Sequence, residues 1–112
     1  MIALINNYRA ANGVAPLAEA GDADAKAQQQ AANMASSGNI YHSDLQSGIQ
    51  PGWSAIGENV GVGSGLDAIE SAFQASAPHR ANLLSGAYNQ VGVGIAVGSD
   101  GRLYIAQEFV GR

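Results

Sequence analysis

The chain has 112 residues, 46% of them hydrophobic and 12% charged; this suits one domain with a single core, and its abundant Ala and Gly favour close packing over disorder. With a formal net charge of −4 and scattered cations (Arg9, Lys26, Arg80, Arg102 and Arg112), it offers no basic stripe to follow a nucleic-acid backbone or a membrane surface. It has no cysteine, which removes disulfides, thiolate metal sites and cysteine nucleophiles, and no apolar run approaches the ~20 residues that span a bilayer.

Residues 2–11 carry Ile2, Leu4, Ile5 and Tyr8 at helical spacing, followed by Asn12-Gly13 and Pro16. This predicts a short amphipathic helix with a defined stop. The helix begins almost at Met1 with no signal-peptide pattern before it, as expected of a mature or trimmed fragment. Residues 18–37 predict a longer helix that starts near Asp22. Ala23, Ala27, Ala31 and Ala35 fall four apart, with Met34 beside them and Lys26, Gln29 and Gln30 on the other side. Such an alanine stripe lets a neighbouring element come close. Residues 39–55 show no period; they hold His42 and Trp53, with turns at Gly48, Pro51 and Gly52.

Residues 56–62 predict an extended segment that opens into a Gly-rich stretch, Gly61 to Gly65. That stretch lacks the Lys and Ser/Thr of a phosphate-binding loop and is expected to be a flexible rim. Residues 66–76 predict a third helix with Leu66, Ile69 and Phe73 on one face. Pro78 sits just past it, and His79 to Leu84 predict one further turn. At the C-terminal end, Val91, Val93, Ile95 and Val97 alternate with Gly92, Gly94, Ala96 and Gly98. After Ser99-Asp100-Gly101, Leu103, Ile105 and Phe109 alternate with Tyr104, Ala106, Glu108 and Val110. This is a hairpin with one large apolar face and one small-residue face. Both faces are expected to be covered, which predicts a three-layer α/β/α sandwich of the α+β type.

The candidate chemistry gathers on few residues. The only histidines are His42 and His79, both in polar, loop-like surroundings, and Glu58 lies on a largely apolar segment. A carboxylate there is costly to bury unless it is paired. Two imidazoles and a carboxylate form a candidate set for Zn²⁺ or another divalent cation, though there is no HExxH helix. Ser76 and His79 are three apart near a helix end and within hydrogen-bonding reach, but no GxSxG elbow is present. Tyr41 and Trp53 are read as packing residues that line a pocket if a polar site adjoins them.

Taken in order, the segments resemble a family. Leu4, Asn7, Arg9, Gly13 and Leu17 mark the first helix, and Met34-Ala35 close the alanine-rich one. His42-Ser43 and Gly57-Glu58-Asn59-Val60 follow. Then come Phe73, Ser76, His79-Arg80 and Asn82-Leu83-Leu84, and finally Tyr88-Asn89-Gln90-Val91-Gly92-Val93-Gly94. Over essentially its whole length the chain resembles the bacterial branch of the CAP (SCP) superfamily, the cysteine-rich secretory protein/antigen 5/pathogenesis-related-1 domain. The resemblance implies an α/β/α sandwich with a central, mainly antiparallel sheet. It also implies a cleft in which His42, Glu58 and His79 converge, with Tyr41, Trp53, Asn59 and Asn82 around it. Ser76 stands near the place where eukaryotic relatives carry a second Glu, Phe73 where Trp is frequent, and Pro78 where Gly is common. An extracellular location is implied as well.

Three functions follow as expectations. The first is a secreted, monomeric binding module for a small apolar ligand or an extracellular partner protein, with a divalent metal as an accessory. The second is a hydrolase in which Glu58 activates water and the histidines hold a metal, or in which Ser76 supports His79 as base. The third is a structural role for the His/Glu cluster as a buried hydrogen-bond network.

Overall fold

The computed structural model describes residues 1–112. Helix α1 spans Ile2–Ala11, strand β1 Ala18–Glu19, helix α2 Gly21–Ser37 and strand β2 Ala55–Gly63. Helices α3 (Leu66–Ala75) and α4 (Ala77–Leu84) follow, then strands β3 (Gln90–Val97) and β4 (Leu103–Gly111). The sheet order is β1-β3-β4-β2. β1 runs parallel to β3, while β4 is antiparallel to both β3 and β2, so the sheet is mixed.

Alternation along the strands sorts side chains to two layers. Tyr104, Ala106 and Val110 of β4 face α2, where they meet the alanine stripe: Ala23, Ala27 and Met34 are buried against this side. The spacing here is set by glycine. A Cβ on Gly92 would lie 2.1 Å from the Ala23 backbone, and one on Gly94 2.2 Å from the Ala27 backbone. The small-residue face therefore lets α2 approach the sheet backbone. The opposite face is built from large side chains: Ile5 of α1, Ile69 and Phe73 of α3, Leu83 of α4, and Val91, Ile105 and Phe109 of the sheet. Helix α2 ends in Gly38 at φ 73, the left-handed residue that closes the last turn.

Several expectations change in detail. Ala18–Glu19 is a strand and α2 begins at Gly21; two residues of strand leave no alternation to read. Pro78 does more than end α3, because it occupies the first turn of α4, where a missing N–H leaves no bond unmade. Gly61 and Gly63 form part of β2 beneath α3 instead of a rim, and a Cβ on either would meet Phe73 or Ile69 at 2.8 Å. The apolar face of β3 is covered at Val91 and Val93. Farther along, Ile95 and Val97 are exposed.

Arg9, fully buried, ties α1 to the α4 end. Its Nε donates to the Ala15 carbonyl (2.7 Å) and its Nη1 to those of Leu83 (2.9 Å) and Ser85 (3.0 Å). With its N–H groups so engaged, a guanidinium is tolerated in the interior.

Candidate functional site

β2 is an edge strand, and its register against β4 pairs Glu58 with Glu108 and Asn59 with Gln107. Successive side chains point to opposite faces. Glu58 and Glu108 therefore project toward the α2 side, and Asn59 and Gln107 toward the other helices. Both pairs are buried.

The loop of residues 39–54 closes over the Glu58 side, and three residues of α2 hold it there. Gln30 Nε2 donates to the Tyr41 carbonyl (2.6 Å), Lys26 Nζ donates to those of Asp44 (2.6 Å) and Ser47 (2.5 Å), and Asp22 accepts from the Gln50 N–H (2.9 Å). This sets His42 and Ser43 above the carboxylate. Glu58 Oε1 accepts from His42 Nδ1 (2.9 Å) and from the Ser43 N–H (2.9 Å), while Oε2 accepts from the Ser43 hydroxyl (2.6 Å). The Glu58 side chain is 0% exposed and that of His42 62%. With Nδ1 turned to the carboxylate, the other ring nitrogen of His42, Nε2, is the one left for a ligand.

Burial pushes the Glu58 carboxyl up, but hydrogen bonds from Glu108, Ser43 and His42 together outweigh it and hold the group below the usual carboxylate range. Glu108 shows the opposite behaviour. Burial, then the bond to Glu58 and the charge on Glu58, push it up to about 10. An ionised Glu108 would also leave its buried Oε2 with no hydrogen-bond partner. A protonated one supplies its own donor, and the Glu58 carboxylate is there to accept.

On the other side of the β2 edge, His79 Nδ1 lies 2.8 Å from Ser76 Oγ, and its ring stacks on Phe73 at 4.9 Å. Burial, and then the facing His42, lower its pKa, while a bond to the Val60 main chain works the other way. Asn59 is fully buried and braces this region. Its Nδ2 donates to the His79 carbonyl (3.2 Å) and to Gln107 Oε1 (3.1 Å), and its Oδ1 accepts from Asn82 Nδ2 (3.0 Å). Tyr88 donates to Asn82 Oδ1 (3.3 Å), and its hydroxyl sits where a Cβ on Gly57 would be, 2.2 Å away.

Two depressions flank His42. One, of about 410 Å³, is a cleft lined by His42, Leu45, Ile56, Glu58, Asn82 and Tyr88. The other, of about 700 Å³, lies between the outer face of α2 and the 41–50 loop, and Tyr41 lines it. Of the residues expected at one cleft, the structure thus gathers His42, Glu58 and Asn82. Tyr41 opens onto the neighbouring cavity, and Ser76 and His79 pair beside the cleft without lining it. Asn59 is a buried brace. Trp53 packs against Ala20, Ala23 and Val110 and lines neither depression.

As placed, the set does not fit a resident metal. No group of three or more His, Cys, Asp or Glu side chains could hold an ion. Glu58 is already bonded through both oxygens, and His79 Nδ1 is engaged by Ser76. Glu108 and Lys26 join the site although neither is among the residues expected there. The signal for Glu108 was its phase: it alternates onto the small-residue face with Ala106 and Val110, which demands a buried partner.

The cysteine-rich secretory protein family, CAP, matches residues 2–109. No curated protein sequence gives a significant match. Among solved structures, an outer surface protein from Borrelia burgdorferi is 17% identical with a TM-score of 0.84, covering 99% of this chain and 89% of its own. An extracellular SCP-domain protein from Bacillus anthracis is 21% identical (TM-score 0.75), with 96% of this chain and 38% of its own covered. A cysteine-rich secretory protein from Staphylococcus aureus is 18% identical (TM-score 0.79), with 99% and 37% covered. The chain spans little more than a third of those last two proteins. At these identities the likeness is one of fold.

Proposed function

Since the chain belongs to the cysteine-rich secretory protein (CAP) family, we propose that it acts as an extracellular, monomeric binding module and not as a hydrolase. The observation that carries this reading is the state of Glu58. A general base must reach water or substrate, yet this side chain is 0% exposed and bonded through both oxygens to His42 and Ser43. It works as an anchor for the loop. Ser76 and His79 offer no better machinery, since the influences on His79 are burial, His42 and the Val60 main chain, with no carboxylate to orient it.

What remains exposed suits recognition. The 410 Å³ cleft joins the apolar Leu45 and Ile56 and the Tyr88 ring to His42 and Asn82. That combination suits a small amphipathic ligand with an apolar body and one polar end, or a partner protein's side chain. The same bonds give Glu58 a structural share. A divalent cation belongs to this reading only as a weak guest of exposed imidazole.

Calorimetry tests this with zinc and, separately, dodecanoate, using the parent and a His42→Ala/His79→Ala variant, alongside hydrolysis of a p-nitrophenyl ester. The expected result is dodecanoate binding that weakens in the variant, with ester turnover no faster than buffer. Stoichiometric zinc binding coupled to turnover that the variant loses would replace the binding reading with the hydrolase one.

A further inference from the structure

The larger cavity asks for a different ligand from the cleft. Its volume, about 700 Å³, is within the usual range for small-molecule sites. Its walls are held by bonds between protein groups: Gln30 to the Tyr41 carbonyl, Lys26 to those of Asp44 and Ser47, and Asp22 to the Gln50 N–H. A cavity braced in this way needs little ordering when it binds.

Its chemistry disfavours two ligand classes. Only two of the thirteen lining residues, Ala25 and Tyr41, are hydrophobic, which favours a polar ligand over an acyl chain. For an anion the lining holds no excess of positive charge: the Lys26 ammonium spends two of its three N–H groups on the Asp44 and Ser47 carbonyls, its charge is offset along the wall by the Asp44 carboxylate, and Asp22 is paired with Arg112.

The remaining lining groups are neutral donors and acceptors, and one pair has a set orientation. Gln29 Nε2 donates to Asn33 Oδ1 at 2.9 Å on the exposed face of α2. This leaves Gln29 Oε1 as an acceptor and Asn33 Nδ2 as a donor, side by side one helical turn apart. An acceptor beside a donor matches two adjacent hydroxyls. Gln30 adds a second carboxamide oxygen. Tyr41, 44% exposed, adds an aromatic ring of the kind that covers the apolar face of a pyranose. We infer that this cavity is a second binding site, beside the His42/Glu58 cleft and sharing only His42 with it, for a neutral, hydroxyl-rich ligand: a short uncharged oligosaccharide.

NMR titration of the ¹⁵N-labelled chain with tri-N-acetylchitotriose and with maltotriose tests it, in the parent and in a Gln29→Ala/Asn33→Ala variant. Both positions are exposed, so the variant is expected to fold. The expected result is shifts in residues 29–33 and 41–50 with at least one sugar at millimolar concentration, weakened about tenfold or more in the variant. Dodecanoate binding at the cleft should be equal in both proteins, so the two sites succeed or fail separately. The inference is overturned by the absence of shifts up to about 10 mM of both sugars. Shifts confined to the cleft, or shifts unchanged in the variant, also overturn it. So does tighter binding of inorganic phosphate at the same residues.

Discussion

The two faces of the sheet are packed on different principles. Against α2 the contact is backbone to backbone: Gly92 and Gly94 lie directly under Ala23 and Ala27, leaving no room for a side chain. Against α1, α3 and α4 the space is filled by Phe73, Phe109, Ile69 and Leu83. One face is therefore sensitive to added volume and the other to volume removed. The polar pairs follow the same division. The α2 face carries the acid pair Glu58 and Glu108 with a lysine, and the large-residue face carries the amides Asn59 and Gln107 with a single acid, Glu70, that accepts from Gln107.

The largest effect is expected on the volume-filled face. Phe109, buried and stacked on Tyr88 at 5.4 Å, should cost about 3–5 kcal/mol when cut to Ala, read from urea unfolding. The smallest possible addition tests the other face. Gly94→Ala places a methyl against the Ala27 backbone, and should cost about 3 kcal/mol in the same measurement. If Gly94→Ala is neutral while Phe109→Ala is severe, α2 is free to shift and the comparison fails.

The acid pair sharpens the comparison through pH. Glu108 keeps its proton in the fold up to about 10, whereas an unfolded glutamate loses it near its ordinary value. Between those values the folded state holds more protons, so stability falls as pH rises. Glu108→Gln keeps a donor and removes that dependence. It should gain about 2 kcal/mol over the parent on going from about pH 5 to about pH 8, from unfolding curves at each pH. Parallel pH profiles for parent and variant would mean that Glu108 is not a neutral donor. The smallest effect is expected at the loop anchor. Ser43→Ala removes one of the bonds to Glu58, and should cost about 1 kcal/mol. It should also loosen His42, visible as narrowing of the chemical-shift difference between its ring nitrogens in ¹⁵N spectra.

Much of this arrangement is legible without coordinates. The alanine stripe of α2 and the Gly/Ala phase of β3 announce close packing, because period alone says which side chains share a face. The apolar positions of α3 and β4 announce the opposite layer in the same way. The order of His42-Ser43, Gly57-Glu58-Asn59 and His79-Arg80 marks the site. Yet the site's working detail is not periodic. That Ser43 and His42 consume both oxygens of Glu58 depends on how residues 39–54 are pinned by Lys26 and Gln30. That Glu108 faces Glu58, and Asn59 faces Gln107, depends on the register of two strands far apart in the chain. Trp53, packed on Ala20, Ala23 and Val110, and the exposed Tyr41 both belong to that aperiodic loop.

By itself, then, the sequence determined the helices, the hairpin, the two kinds of sheet face and the family. These rest on local propensity and on spacing within one element. Only the tertiary structure decided that Glu58 is an anchor, that Glu108 holds its proton, that β1 joins the sheet and that a polar cavity opens beside α2. Each of these depends on contacts between segments distant in the chain, where cross-strand register and burial determine which groups meet and which charges survive.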